Sequence, residues 1–515
     1  MRATALSVAV FGLLAMVGAQ APPNDTVLHL DFESPEQFTV LSGDAGGPGA
    51  GHDSSASLLV ERNQADGSAV HRVELPADRL AGRLITLSAD VRAENISEKP
   101  NHWNGIKVML VLQVSDDRDY PQLPFGTGTF DWVHTTRALR IPRGIRRAHL
   151  VLGLEEVSGR AWFDNVTIRV GRPGGQGKRR NEMFKGHDLP RLRGVMYGTE
   201  TSEEDLRTLA EDWGANLVRL QMNWVPMKKA EVWARDLDAY EQWLESILPE
   251  IDRGIELCEK YDLKVALDLH TPPGGRVERG VCPLFTRKDC QDKMVEIWRR
   301  LARRYRGRKV IWAYDLLNEP VEPPPGPGVV SWRELATRVT RAIREIEPGK
   351  PVIFEPGPWG GCAGFDNTVP LDLDNVIYSF HMYQPHQFTH QGVHGNPTGP
   401  RYPGRIAGDM WDKERLREAM LPAIDFQREF NVHIYVGEFS AIRWAPGDGA
   451  YNYLRDCISL FEEYGWDWSY HAYREWDGWS VEHGPDPQDH SPTETPTKRK
   501  SLLLRWFAQN KAPGG

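Results

Sequence analysis

Two glutamates at the ends of apolar runs carry the strongest chemical signal in this 515-residue chain. Glu319 closes the stretch Ile311-Trp312-Ala313-Tyr314-Asp315-Leu316-Leu317-Asn318 and precedes Pro320. Glu438 closes Ile434-Tyr435-Val436-Gly437. A carboxylate in such surroundings is costly unless it is paired or used. Comparable runs elsewhere also end in polar residues. Arg219 lies in 217–221, His270 follows 265–269, His381 and Tyr383 follow 377–380, and His471 follows Trp466 with Trp476 five residues on. A carboxyl pair can divide one reaction between its members. One member, Glu319, keeps a proton to give to a leaving oxygen. The other, Glu438, stays ionised, attacks carbon and forms an ester, which is the chemistry of glycosidic bond cleavage. Arg219 would hold Glu438 ionised by its charge, and Tyr383 could donate to the same carboxylate. Asn318 would bind the hydroxyl beside the reacting carbon, where binding strengthens at the transition state.

These residues need a scaffold that gathers strand ends on one face. Apolar strand candidates lie at 194–197, 217–221, 265–269, 311–317, 352–355, 376–381, 434–438 and 466–471. Helical patterns fill most gaps, at 203–213, 240–261, 289–305, 332–345, 413–430, 450–464 and 500–509. Eight strands alternating with helices predict a (β/α)8 barrel, whose chemistry sits at the C-terminal ends of its strands. The first part of the chain reads differently. Runs at 26–32, 84–91, 107–114, 132–141, 147–154 and 161–170 are separated by Gly, Pro, Asp and Asn, with no helical stripe between them. That spacing predicts an antiparallel β-sandwich. The expected organisation is a signal peptide over 1–21, a sandwich over 22–171, a linker over 172–189 and the barrel over 190–511.

The barrel half resembles glycoside hydrolase family 5, the cellulase family of the retaining (β/α)8 clan. The resemblance rests on Asn318-Glu319-Pro320 after the fourth strand and on Arg219, His270, His381, Tyr383 and Glu438 in family order. It implies Glu319 as acid/base, Glu438 as nucleophile and the other five as their companions, with a β-linked polysaccharide as substrate. It also implies a tryptophan platform after the eighth strand. His471 stands where that tryptophan is expected, so either Trp476 reaches back into the site or His471 replaces it, with Trp476 preferred. The sandwich resembles the β-jelly-roll carbohydrate-binding modules of such enzymes, through Leu30-Asp31-Phe32-Glu33 and Trp162-Phe163-Asp164-Asn165-Val166. Trp103 and Trp132 are its candidate sugar platforms, although a purely structural sandwich fits nearly as well. The same residues would also suit a secreted carbohydrate-binding protein without activity, or a transglycosylase.

The bulk numbers narrow the rest. A net charge of −9 argues against a dedicated nucleic-acid or anionic-membrane binder. The basic run at 299–306 reads as one solvated helix face. Arg2, a short apolar stretch and small residues near 18–21 predict export, and a soluble monomer is expected. Five cysteines exclude a disulfide scaffold, although Cys282 and Cys290 share a loop and could pair. His386, His390 and His394 have i,i+4 spacing. Pro385 and Gly392 oppose a helix there, so a loop over the cleft running to about 409 is expected rather than a metal site, and no cofactor is called for. Trp224, Trp359, Trp444 and Trp479 are further candidates for sugar contacts.

Overall fold

A computed structural model of the chain describes residues 25–510, except 44–45, 53–55, 116, 174–176, 199, 201, 227–229, 278–279 and 324–327. The expected signal peptide lies outside the described residues. Two compact units are present, Met1–Gly175 and Gln176–Gly515.

The first unit is built from two antiparallel sheets. One runs in the order Gly46–Ala50, Ala56–Arg62, Gly159–Val170, Leu84–Ile96, Gly128–Arg140, with Thr26–Leu30 also paired to Gly159–Val170. The other runs Ser68–Leu75, Ile145–Glu155, Gly105–Val114, Asp117–Asp119. Alternation drives the packing. Along Leu84–Ile96, residues Ile85, Leu87, Ala89, Val91 and Ala93 all turn into the core shared by the two sheets. Four strands were not expected: Gly46–Ala50, Ala56–Arg62, Ser68–Leu75 and Asp117–Asp119. The first has no side-chain pattern to read. Gly46 is there for close approach, since a Cβ on it would stand 2.1 Å from the Leu59 carbonyl oxygen.

The second unit is a closed barrel of eight parallel strands: β1 (Arg193–Tyr197), β2 (Leu217–Gln221), β3 (Lys264–Asp268), β4 (Ile311–Asp315), β5 (Val352–Phe354), β6 (Val376–Met382), β7 (Ile434–Phe439) and β8 (Asp467–Tyr470). β8 pairs with β1 and closes the ring. The strands are mostly apolar because helices cover their outer face, and their charged residues are the exceptions that need partners. The helix Leu237–Lys260 shows how. Asp236 caps it by accepting from the Ala239 N–H, and Tyr240, Leu244, Leu248, Ile251, Ile255 and Cys258 form its buried stripe. Helices Lys288–Arg304, Trp332–Arg344, Leu421–Phe430, Gly449–Tyr464 and Lys498–Phe507 complete most of the outer layer. After β5 the connection is a 3-10 turn, Cys362–Asn367. The basic run at 299–306 partly faces the neighbouring helix, where Arg300 pairs with Glu241 and Glu245, and Arg304 with Asp252.

The floor of the barrel is filled by Leu217, Ala266, Trp312, Ile353, Ile377 and Tyr435, with Phe184 and Leu189 packed beneath them. The stretch expected to be linker up to 189 therefore packs on the barrel from residue 177 onward. Arg180 is bonded to Asp374 and to the Leu371 carbonyl. Its polar, glycine-rich sequence hides this because its bonds run from arginine tips rather than from an apolar stripe. All five cysteines are buried free thiols. Cys282 lies against Arg276, and Cys290 is built into the helix Lys288–Arg304. No helix among the described residues is long and apolar enough to cross a membrane.

Candidate active site

The barrel register brings the polar strand ends together. Asp268 on β3 pairs with Asp315 on β4, and His381 on β6 with Glu438 on β7. Arg219 lies in the middle, fully buried. Its Nε donates to Asp315 Oδ2 at 2.8 Å, one Nη to Glu438 Oε1 at 2.8 Å and the other to Asn318 Oδ1 at 3.1 Å. That second Nη also lies 3.2 Å from Asp268 Oδ1. One guanidinium thus orders three carboxylates and an amide.

Those carboxylates divide by protonation. Burial pushes Asp268 and Asp315 up to about 7, although the Arg219 charge opposes it. Burial acts on Glu438 in the same direction, but His381, His471 and Arg219 outweigh it and hold that carboxyl well below its usual range. Tyr383 Oη donates to Glu438 Oε2 at 2.9 Å. A fixed carboxylate, kept ionised, is suited to nucleophilic attack.

A second chain of contacts fixes Asn318. His270 Nδ1 lies 2.7 Å from Asp268 Oδ2, and its Nε2 lies 3.1 Å from Asn318 Nδ2. Burial pushes His270 down to about 3, so the ring is neutral. Nδ1 then carries the hydrogen and Nε2 accepts from Asn318. Asn223 holds the His270 backbone by accepting its N–H at 2.7 Å. With Oδ1 taken by Arg219 and one N–H by His270, Asn318 keeps one amide hydrogen for a ligand.

Glu319 sits on a backbone forced into the left-handed region, φ 43°. Its N–H donates to Glu355 Oε1 at 2.7 Å, and its carbonyl accepts from Arg276 at 3.0 Å. Its side chain reaches His381, with Oε1 2.9 Å from Nδ1. Nε2 of the same imidazole stands 2.9 Å from Glu355 Oε2. Burial favours the neutral ring, but Glu355 and Glu438 overcome it and keep His381 well above the usual imidazole range. Glu319 and Glu438 flank this one cation, and a carboxylate oxygen of each lies within 4.8 Å of the other.

Every expected site residue but one belongs to this network. His471 enters it directly, with Nδ1 3.1 Å from Glu438 Oε2 and 2.8 Å from Tyr383 Oη. Trp476 does not. It is 37% exposed and packs edge-on against Trp479 and Trp444. His471, which follows β8 immediately, stands beside Glu438, and Trp476 stands one ring farther out, on the Trp479 that stacks on Tyr383. Trp479 stacks on Tyr383, with ring centroids 5.4 Å apart, and His390 meets both rings edge-on. The histidine-rich segment is thus a buttress for Tyr383. It forms one helical turn, His386–Thr389, with the His386 and His390 rings stacked at 3.9 Å. Trp359 is exposed on the opposite rim, over the Arg276 guanidinium.

Sequence reasoning passed over Asp268, Asp315, Glu355 and Arg276. The signal for the aspartates was present, because a carboxylate inside an apolar parallel strand demands a partner. Two groups among the described residues have the composition of a cation site, Glu319–His381–Glu438 and His187–His433–Asp467. In the first, Arg219, Tyr383 and the two histidines already meet the carboxylate oxygens. In the second, both imidazole Nε2 atoms lie 2.6–2.7 Å from one Asp467 oxygen. That is hydrogen-bond spacing, closer than the roughly 3.3 Å between ligands around a tetrahedral zinc ion.

Comparison with known proteins agrees with this geometry. The family model for cellulase, glycosyl hydrolase family 5, matches residues 178–480. The chain is 31% identical over 303 residues to Endoglucanase C of Acetivibrio thermocellus, spanning 53% of this chain and 85% of that protein. It is 28% identical over 275 residues to Cellodextrinase A of Ruminococcus flavefaciens, spanning 51% and 75%. A crystal structure of a glycoside hydrolase, 25% identical, covers 61% of this chain and 99% of its own, with a TM-score of 0.50. The chain belongs to the cellulase family, glycosyl hydrolase family 5, and is an enzyme that hydrolyses glycosidic bonds.

Proposed function

We propose that the chain is an exported retaining β-glucanase that cleaves its polysaccharide by double displacement, with Glu438 as nucleophile and Glu319 as acid/base. The approach of the two carboxylates carries this reading. Oxygens within 4.8 Å suit the roughly 5–5.5 Å carboxyl separation of retaining enzymes and fall short of the roughly 6.5–9.5 Å of inverting ones. Glu438 attacks the anomeric carbon while Glu319 gives its proton to the leaving oxygen. Glu319 then takes a proton from the water that opens the glycosyl ester. The free amide hydrogen of Asn318 is placed for the sugar hydroxyl next to the reacting carbon. Trp359, on the acid/base side, supplies a face for a sugar on the leaving-group side.

Product stereochemistry tests the reading. Proton spectra taken in the first minutes should show the β-anomer accumulating before mutarotation, and prompt α-anomer would overturn retention. Glu319→Ala tests the role of the acid. It should lower kcat/KM on a natural glycan by roughly 10^2–10^4-fold, the usual worth of general acid catalysis. On a dinitrophenyl glycoside, whose leaving group needs no proton, glycosylation should stay near the wild-type rate. Equal losses on both substrates would remove Glu319 from this role.

The neighbours are tightly fitted. A Cβ on Gly437 would stand 3.0 Å from His381 Nε2 and 2.9 Å from Ser379 Oγ. Gly437→Ala should push the imidazole off both glutamates and cost on the order of 10^2-fold in kcat. A kinetic comparison at matched stability checks it, and an unchanged kcat would show that His381 tolerates displacement.

We read the N-terminal unit as a jelly-roll module that binds the glycan. The 52% exposed Trp103, and Trp132 with its ring 5.4 Å from that of His52, are its sugar platforms.

A further inference from the structure

His471 is an ionisable ring held between two carboxylates. Nδ1 faces Glu438 Oε2 at 3.1 Å, and Nε2 faces Glu475 Oε2 at 3.5 Å. The other Glu475 oxygen accepts from Gln221 Nε2 at 2.8 Å, which anchors it to the end of β2. The His471 and Glu475 side chains are only 17% and 18% exposed. Double displacement assigns Glu475 no part.

The protons can be placed from geometry. Tyr383 has one hydroxyl hydrogen and spends it on Glu438. His471 Nδ1 then faces two oxygens, Tyr383 Oη and Glu438 Oε2, and must bring its own hydrogen, because a bare nitrogen there would meet only lone pairs. On the far side, one proton lies between Nε2 and Glu475, since two bare acceptors would repel. We infer that Glu475 is a positioning residue acting through His471: its carboxylate keeps the imidazole protonated, and that charge holds Glu438 ionised for attack.

The surroundings agree. Glu438, Tyr383 and His381 face the ring from β7 and β6, Glu475 and Trp479 from its own loop, and His390 from the loop after β6. Glu475 is faced by Gln221 and His471, with Glu438, Arg219 and Asp268 farther off. Burial alone would discharge His471, yet Glu438 and Glu475 raise it above the ordinary imidazole range. Desolvation of its side chain pushes Glu475 up to about 7.

The test is the charge of His471, read from the nitrogen NMR shifts of its imidazole, beside kcat/KM against pH. Glu475→Gln keeps the shape and the Gln221 contact but removes the charge, so the ring should lose its proton about one pH unit earlier. Glu475→Asp should restore most of the wild-type titration. His471→Gln gives an independent answer in the kinetics. Without the imidazolium Glu438 ionises less readily, so the acid limb should move upward, and Glu475→Gln added to His471→Gln should move it no further upward. An unchanged ring titration in Glu475→Gln, a further upward shift in the double variant, or an unmoved acid limb in His471→Gln would each overturn the inference. It rests on Glu438 as nucleophile. That reading is tested separately, and fails if azide does not rescue Glu438→Ala, whatever the ring titration and the pH profiles do.

Discussion

Glu438→Ala should lower kcat by roughly 10^4-fold or more, because the group removed makes a covalent bond that no neighbour can make in its place. Lost activity alone would not assign a role, since Glu319→Ala should also be impaired. Azide separates the two. In Glu438→Ala the small anion fits the vacated space, attacks the anomeric carbon directly and inverts it, so a β-glycoside should give the α-glycosyl azide. In Glu319→Ala the glycosyl ester still forms on Glu438, and azide opens it in place of water to give the β-glycosyl azide. Product anomers read by proton coupling constants decide the assignment. Exchanged anomers would reverse the roles, and failure of both rescues would remove the pair. Arg219 should aid the α-azide reaction, because its Glu438-directed N–H remains to meet an anion.

Arg219→Met should give the second-largest effect, and it should be visible without substrate. Arg219 is the buried cation shared by Asp268, Asp315 and Glu438, none of which is more than 5% exposed. Removing one partner of a buried ion pair costs about 3–5 kcal/mol, because the other is left uncompensated. Asp268 and Asp315 already sit at about 7 with Arg219 present. A carboxyl raised in the fold binds more protons folded than unfolded. Its contribution to stability is therefore full below about pH 4 and is lost as pH rises toward 7. Without Arg219 both carboxyls rise further, so the gap between Arg219→Met and wild type should widen from pH 4 to pH 8. Denaturant melts at several pH values check this. A constant gap would mean that the destabilisation is lost packing rather than charge. Adding Asp315→Asn should recover part of the stability and none of the activity, since Glu438 still lacks its donor.

What the sequence made legible follows from what each residue must satisfy. The eight barrel strands could be read because each is a mostly apolar run and most are set off by helices of period 3.6. Glu319 and Glu438 could be read because they follow such runs. Asp268 and Asp315 follow the same logic one step earlier in their strands. They were missed because a single charge inside an apolar stretch looks like a defect until its partner is known, and that partner, Arg219, comes from a different strand. Glu355 was hidden in the same way: its work is to hold the Glu319 N–H and stand beside His381, contacts that no spacing encodes. The choice between His471 and Trp476 turned on where β8 ends, and strand ends are the least certain part of any sequence reading. In the N-terminal unit, Gly46–Ala50 pairs through its backbone alone, so its side chains announced nothing.

The left-handed backbone at Glu319 sets fold and catalysis against each other at one position. A side chain there works against its own Cβ by about 1–2 kcal/mol, and only glycine would sit there freely. Selection for a robust fold alone would drift toward glycine and lose the acid. In the proposed mechanism the glutamate thus serves turnover at the expense of ruggedness. The contacts from Glu355 and Arg276 are what make that compromise tenable. They brace the peptide on both sides, so a weakened brace would show first as a misaimed acid and only later as a melted barrel.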